Sequence, residues 1–294
     1  MKILILVANS NAYPSNLIVP FLKNTWGKDK RIDVIYYQGG ENKVTFNNNV
    51  LKLNVPSSAE NVNEKGLKAF EWIVENKDFD VMFRCTTTTY LNIDKLIEFV
   101  EGKEMENLFS GPVDFYPPWD VPDNEKITFV SGAGCFFSKD VVKKLIQNKD
   151  KYDFTLNDDV AISKLLVNDL GVPITEGFRQ DFYYGYPFLK DIEYENYHFR
   201  FKLSTNFYPR YLEIITLLSI HLRKKIKDNK ILLTIVLIID ILLFLIYKLL
   251  KLLNYEFIKY NSKLLFYKLK KQIFIMIKRI PFLYKASKSL KNRY

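Results

Sequence analysis

The stretch "FDVMFRCTTTTYLNID", residues 79–94, runs an apolar strand into four consecutive threonines and straight back into helix-forming residues. Threonine favours strands and turns and spoils helix interiors, so the run reads as a strand end, a polar pocket lining or a plain turn. The neighbouring segments decide between these readings. Upstream, "KILILV" (2–7) and "IDVIYYQ" (32–38) are strands, separated by "NLIVPFLKNTWG" (16–27), whose apolar spacing and closing Gly27 predict a helix and its stop. The helix "SSAENVNEKGLKAFEWIVENK" (57–77), opened by serine caps, feeds the strand "FDVMFRC", and "NIDKLIEFVEG" (92–102) is the helix after it. Continuous apolar strands alternating with helices predict an α/β domain with a mostly parallel sheet covered on both faces. In such sheets ligands sit at the carboxyl ends of the strands, which is where the threonines fall.

The 294 residues, 48% of them hydrophobic, are ample for a packed core, so disorder is not expected. Both cysteines, Cys85 and Cys135, lie in apolar strand-like contexts and read as reduced core residues, not as a disulfide or zinc framework. The net charge of +10 points to an acidic partner, and the excess lies mostly after residue 220. "MKILILVANSN" reaches polar residues too soon for a signal peptide and reads as a first strand, which places the N-terminal domain on the side of the membrane where it is made, the cytoplasmic side.

Three further segments carry candidate chemistry. "SGAG" (131–134) is either a tight turn or a close backbone approach, and it precedes a short strand and a helix opened at Ser138. "YDFTLNDDVAISKLLVNDLG" (152–171) is a helix that starts on Asp158 and Asp159 and stops at Gly171. Carboxylates there are read either as caps of the first turn or as catalytic groups. "YHFRFK" (197–202) puts His198, Arg200 and Lys202 on one strand face, which fits a solvated edge as well as a site.

From residue 206 the text becomes aliphatic with basic punctuation. "ILLTIVLIIDILLFLIYKLL" (231–250) is long enough to cross a bilayer but carries Asp240 at its centre, so in-plane or hairpin-like membrane attachment fits better than a clean span. The competing reading is a soluble helical bundle on the first domain. Lysines of the tail come with no aromatic stacking module or recognition motif, which argues against nucleic acid. The predicted division is a domain over 1–205 and a helical, membrane-associating tail over 206–294.

The order of these segments resembles the beta-1,3-glycosyltransferases that include the beta-1,3-galactosyltransferases and Fringe. "VPFLKNTWG" (19–27) is similar to that family's R-x-x-I-R-x-T-W-G, keeping Leu22, Lys23, Thr25, Trp26 and Gly27 but with Val19 for the first arginine. "NVNEKGLKAFEWIVEN" (61–76) resembles its N-L-T-x-K-T helix, and "RCTTTTYLN" (84–92) its K-T-D-D-D-x-F-V-N. "YPPWD" (116–120), "SGAGCFFSKDVV" (131–142) and "NDDVAISKLL" (157–166) look like its Y-P-P, G-G-G-Y-x-x-S and E-D-V segments.

The resemblance implies a GT-A fold, Rossmann-like with helices on both faces of the sheet, and transfer of a hexose-type sugar from a nucleotide sugar, a UDP-sugar foremost, to a glycan or glycolipid hydroxyl with inversion. Asp159 is then the general base and Asp158 its neighbour. Asn9, Ser10, Lys23, Arg84, Thr86, Thr87, Thr88, Arg200 and Lys202 are expected at the donor, and Trp119, Ser131, Gly132, Ala133 and Gly134 at the acceptor. The family's three metal-binding acids are replaced by Thr86, Thr87 and Thr88, and hydroxyls are poor ligands for a hard cation. Three outcomes stay open: protein cations (Arg84, Arg200, Lys202) replace the metal; a manganese or magnesium ion survives on His198 and the phosphates; or the chain is a non-catalytic sugar- or nucleotide-binding relative. A membrane-anchored scaffold is the reading from outside enzymology.

Overall fold

The computed structural model describes residues 1–13, 15–117, 126–183, 192–202 and 211–226, and thirteen further residues between 228 and 245. The chain forms two compact units, Met1–Leu233 and Thr234–Tyr294. The elements of the first unit, in chain order, are β1 (Ile3–Ala8), α1 (Ser15–Asn24), β2 (Ile32–Gln38), β3 (Thr45–Asn47), β4 (Val50–Lys52), α2 (Val62–Asn76), β5 (Val81–Thr86), β6 (Thr89–Leu91) and α3 (Ile93–Glu101). They continue with β7 (Phe109–Gly111), β8 (Val113–Tyr116), β9 (Ile127–Val130), β10 (Gly134–Ser138), α4 (Lys139–Gln147), α5 (Asp158–Ser163), β11 (Ile174–Glu176), β12 (Gln180–Tyr183), β13 (His198–Lys202) and α6 (Tyr211–Ile226).

Eight strands form one mixed sheet in the order β11-β7-β10-β5-β1-β2-β4-β3. Strands β5, β1, β2 and β4 are parallel, as their apolar runs between helices predict. Strand β10 is the departure: it is inserted antiparallel to both β5 and β7, because a strand's period does not record its direction. Two small sheets, β12-β13-β6 and β8-β9, complete the unit. Side chains alternate across the main sheet. Leu4, Leu6, Tyr37, Met82 and Phe137 face one core with Phe70 and Ile73 of α2 and Val141 and Leu145 of α4. Ile5, Val7, Tyr36, Phe83 and Phe136 face the other, with Ile18 and Leu22 of α1, Leu96 of α3 and Phe199 and Phe201 of β13.

Helix ends follow local chemistry. α3 stops at Gly102, and α5 runs through a wider π-type turn, Lys164–Asp169, to Gly171, whose φ of +68° is a left-handed value suited to glycine. The predicted serine caps of α2 sit one turn early: Asn61 occupies the N-cap, and its side chain donates to Ser58 Oγ at 2.6 Å.

The domain boundary expected at 205/206 is too early. α6 buries Leu217 and Ile220 in the core of the first unit. Its His221 Nδ1 lies 3.0 Å from the Tyr90 hydroxyl, and Lys224 Nζ donates to Asn92 Oδ1 at 2.6 Å. Each buried Leu or Ile of this kind contributes about 1.5–3 kcal/mol. A chain ending at residue 233 is therefore expected to melt cooperatively, whereas one ending at 205 loses most of its stability and aggregates. Thermal denaturation of the two truncations checks this, and equal melting temperatures would contradict it.

Candidate active site

The threonine run sits where β5 turns into β6, at the carboxyl edge of the parallel strands. Thr86 is in register with Ala8, the last residue of β1, and Asn9 continues from there with its N–H on Tyr37 O at 2.9 Å. The hydroxyls divide by direction. Thr86 and Thr88 are half-buried with their oxygens 2.9 Å apart, whereas Thr87 and Thr89 are buried. Thr87 turns toward Ser15 Oγ at the start of α1, at 3.4 Å, and Thr89 toward Ala133 O at 3.4 Å and His198 Nε2 at 3.5 Å. Of the three threonines expected at the donor, Thr86 and Thr88 are thus open to a ligand and Thr87 is turned into the α1 junction. Beside them runs an amide relay: Asn9 Nδ2 donates to Gln38 Oε1 and Gln38 Nε2 to Asn11 Oδ1, each at 2.7 Å, Asn9 Oδ1 has no partner among the described residues, and Ser10 Oγ accepts the Ala12 N–H at 3.1 Å.

The "SGAG" loop is both things the sequence left open. It is a tight turn, with Gly134 N–H on Ser131 O at 3.1 Å, and it is a close approach on two sides. Gly132 N–H donates to Asp159 Oδ2 at 3.1 Å. A β-carbon at Gly132 would collide with the Arg84 guanidinium and lie 3.0 Å from the Asp159 β-carbon; one at Gly134 would collide with the His198 ring, with Nε2 only 2.9 Å away. Ser131 Oγ accepts from Arg179 Nη1 at 2.8 Å. One four-residue loop therefore touches both faces of the sheet, since Arg84 shares a face with Tyr37 and Met82, and His198 packs edge-on against Phe83 of the other.

Asp158 and Asp159 open α5 as predicted. Asp158 is paired with Arg84, which is only 3% exposed and whose Nη2 also reaches the Tyr37 hydroxyl at 3.5 Å. Burial opposes the Arg84 charge, but Asp158 and Tyr37 hold the guanidinium protonated, its pKa well above normal. Arg84, expected at the diphosphate, is here ion-paired inside the domain, beneath Gly132. Asp159 accepts the N–H groups of Gly132 and Val160, both at 3.1 Å. Its pKa is nonetheless raised, by burial first and by Asp158 second, against the opposing pull of Gly132 N–H and Arg84. A helix N-terminus favours the ionised form, but desolvation outweighs that effect.

The remaining predicted residues are dispersed. Lys23 donates to Asn48 O at 2.8 Å and covers the Tyr36 ring at 5.3 Å, so it serves the β3–β4 turn. His198 and Arg200 lie on β13, the central strand of a three-stranded sheet, not on a solvated edge; Lys202 ends that strand. Trp119 lies outside the described residues. His198 is fully buried, and burial with Arg179 and Arg200 nearby holds its pKa well below the usual histidine range. A divalent cation at its unpartnered Nδ1 would meet the packed Gly134 backbone and two guanidiniums, a donor set that does not fit a metal centre. Among the described residues no group of three His, Cys, Asp or Glu side chains could hold a metal ion.

Sequence reasoning missed three contributors. Arg179 ion-pairs with Asp181 at 2.8 Å while holding Ser131. Tyr152 donates to Asn63 Oδ1 at 2.8 Å and lies 3.2 Å from Asp158 O, pinning the start of α5 to α2. The only signal for Tyr152 and Asn63 was their place inside segments already singled out.

The galactosyltransferase family model matches residues 27–177, just over half of the chain. No curated protein matches the sequence. Among solved structures, a glycosyltransferase involved in glycosylation of the major capsid of PBCV-1 aligns with a TM-score of 0.43 and 9% identity over 74% of this chain and 100% of its own. The glycosyltransferase GlyE of Streptococcus pneumoniae TIGR4 aligns at 0.45 and 10% identity over 78% of this chain and 64% of its own. The mannosyltransferase PcManGT of Pyrobaculum calidifontis, solved with GDP-Man and Mn2+, aligns at 0.41 and 9% over 78% and 65%. These likenesses are distant, and the family match carries the assignment. Because that match runs from just after α1 through the threonine turn, the glycine loop and α5, the chain belongs to the galactosyltransferase family and is a glycosyltransferase of mixed α/β, GT-A architecture.

Proposed function

We propose that the enzyme moves a hexose-type sugar from a nucleotide sugar to a hydroxyl of a glycan or glycolipid by direct displacement, with inversion at the anomeric carbon. The observation that carries this reading is the placement of Asp159: a carboxylate at the start of α5, fixed by Gly132 N–H beside the carboxyl edge of β5. Asp159 takes the acceptor's proton as the acceptor oxygen bonds to the anomeric carbon, and the bond to the nucleoside diphosphate breaks on the opposite face. Thr86 and Thr88 offer hydroxyls to the donor. The start of α1, in contact with Thr87, adds the partial positive charge of a helix N-terminus. Arg200 and Lys202 are the cations assigned to the leaving diphosphate in place of the family's metal.

The test is transfer from a panel of nucleotide sugars, UDP-sugars first, with the product's anomeric configuration read by NMR and the assay repeated with a chelator. Inverted product and undiminished chelated activity are expected; retained configuration overturns the mechanism, and loss of activity with chelator overturns the metal-free reading. The replaced acids favour one second reading, a relative that binds a nucleotide sugar without chemistry, which predicts thermal stabilisation by a donor with neither hydrolysis nor transfer.

The membrane half of the proposal rests on the second unit. Among the described residues no helix is long and apolar enough to cross a membrane. Helical residues Ile235, Ile238, Ile241, Leu242 and Leu245 are exposed and recur at intervals of three and four, the pattern of a stripe that lies in an interface. With the basic residues of the tail, that stripe suits an anionic bilayer on the cytoplasmic side. Sedimentation with anionic vesicles should carry down the full chain and leave the form ending at residue 233 in solution; co-sedimentation of the short form would refute the assignment.

A further inference from the structure

We propose that Arg84 and Asp158 form a buried charge couple that sets the strength of the Asp159 base. This positioning role rests on the transferase reading and replaces a donor-binding role for Arg84. Arg84 stands in β5, whose other side chains from Val81 to Cys85 are buried and uncharged. A cation in such a strand is costly unless it is paired, and its ion-pair partner is Asp158 of α5. Nε and Nη1 find no hydrogen-bond partner among the described residues, and Gly132 closes over the guanidinium, so the charge is fixed beneath the loop and does not reach a surface ligand.

Asp159 is the next residue along, held to the same loop by Gly132 N–H. It cannot turn away from the couple, because Tyr152 ties the first turn of α5 to Asn63 of α2. Among the described residues, four charged or titratable groups interact with Asp159. They are Arg84 from β5, Asp158 on its own helix, the Tyr152 phenol from the preceding turn and the Cys135 thiol from β10; burial keeps the last two neutral. The two charges act in opposite directions. The Asp158 carboxylate resists a second negative charge beside it, and the Arg84 guanidinium favours one. Removing either one should unbalance the base in a predictable direction.

The experiment compares wild type with Asp158→Asn, Arg84→Gln, Arg84→Lys and Tyr152→Phe, each checked by thermal melting. Two quantities are read: the acidic limb of kcat/KM against pH, and the side-chain carboxyl ¹³C titration of Asp159 in aspartate-labelled protein, assigned with Asp159→Asn. Asp158→Asn should move the Asp159 midpoint down by about one pH unit or more, since the freed guanidinium then faces Asp159 alone. Arg84→Gln should move it up by a similar amount, and Arg84→Lys should hold it near wild type. Tyr152→Phe, which frees the first turn of α5, should lower turnover and shrink both of these shifts when combined with Asp158→Asn or Arg84→Gln. Shifts in the same direction for Asp158→Asn and Arg84→Gln, or none for either, overturn the couple. If Arg84→Gln does not fold, Asp158→Asn against Arg84→Lys still decides: equal midpoints overturn the proposal. Opposite shifts in a protein that transfers no sugar would sink the transferase reading and leave the couple standing; transfer with an unmoved midpoint does the reverse.

Discussion

Asp159→Asn is expected to lower kcat by about 10²–10⁴-fold while leaving nucleotide-sugar affinity within a few-fold of wild type. Asparagine keeps one oxygen to accept the Gly132 N–H, so the loop stays in place, and gives up only the bond from the Val160 N–H. What it lacks is the capacity to take the acceptor's proton. The same substitution should raise stability, and the sign follows from the direction of the Asp159 pKa. A carboxyl whose pKa is higher folded than unfolded binds its proton more tightly in the fold. Its contribution is therefore fully present below the unfolded pKa and is lost as pH rises through the folded value. At neutral pH the ionised group is a burden that asparagine removes, so the variant should melt above wild type at pH 7, with the gap closing as pH falls toward the ordinary carboxylate range. Single-turnover kinetics, donor calorimetry and melts across pH 4–8 measure all three effects, and unimpaired turnover would remove Asp159 from the mechanism.

Gly134→Ala should be the most damaging single methyl in the site. The new β-carbon falls on the ring of His198, and that ring has no room to retreat: it is fully buried, edge-on to Phe83 at a centroid distance of 5.5 Å. Overpacking of this kind costs about 1–3 kcal/mol. The loop is also displaced, which moves Gly132 and with it the hydrogen bond to Asp159, so activity should fall further than stability alone predicts. His198→Ala by itself leaves a cavity and destabilises as well. Combining the two places the alanine methyl in the vacated space, so the double variant should be more stable than the sum of the single losses implies. A double-mutant cycle by denaturant titration measures this coupling; strict additivity would show that the two residues do not share the volume assigned to them.

Much of the fold was legible because it rests on local rules. The strands of the parallel half, the stop of α3 at Gly102 and the start of α5 on two aspartates all follow from apolar runs, glycine and helix-terminus chemistry. Less legible were properties that depend on partners distant in the chain. Strand β10 reads as a short apolar strand whichever way it points. α6 shares its aliphatic and basic composition with the tail beyond it, and its packing on β6, β13 and α1 makes it part of the first unit. Arg84 looked like a cation for phosphate because its sequence neighbours are threonines, while its ion-pair partner is 74 positions away. Arg179 was overlooked because the aromatic stretch around it shows no period that marks a site.

That 74-residue separation also orders events as the chain is made. When β5 leaves the ribosome, β1 and β2 are already available to pair with it, so the parallel centre of the sheet can assemble with Arg84 in place but unpartnered. Asp158 follows only after β7, β10 and α4 have emerged. At roughly 5–20 residues per second that interval lasts about 4–15 seconds. Through it α2 can already cover part of that sheet face, while the guanidinium still lacks its partner and keeps its water. Closure of the fold over Arg84 is thus timed by the arrival of α5, a late-docking element of the first unit.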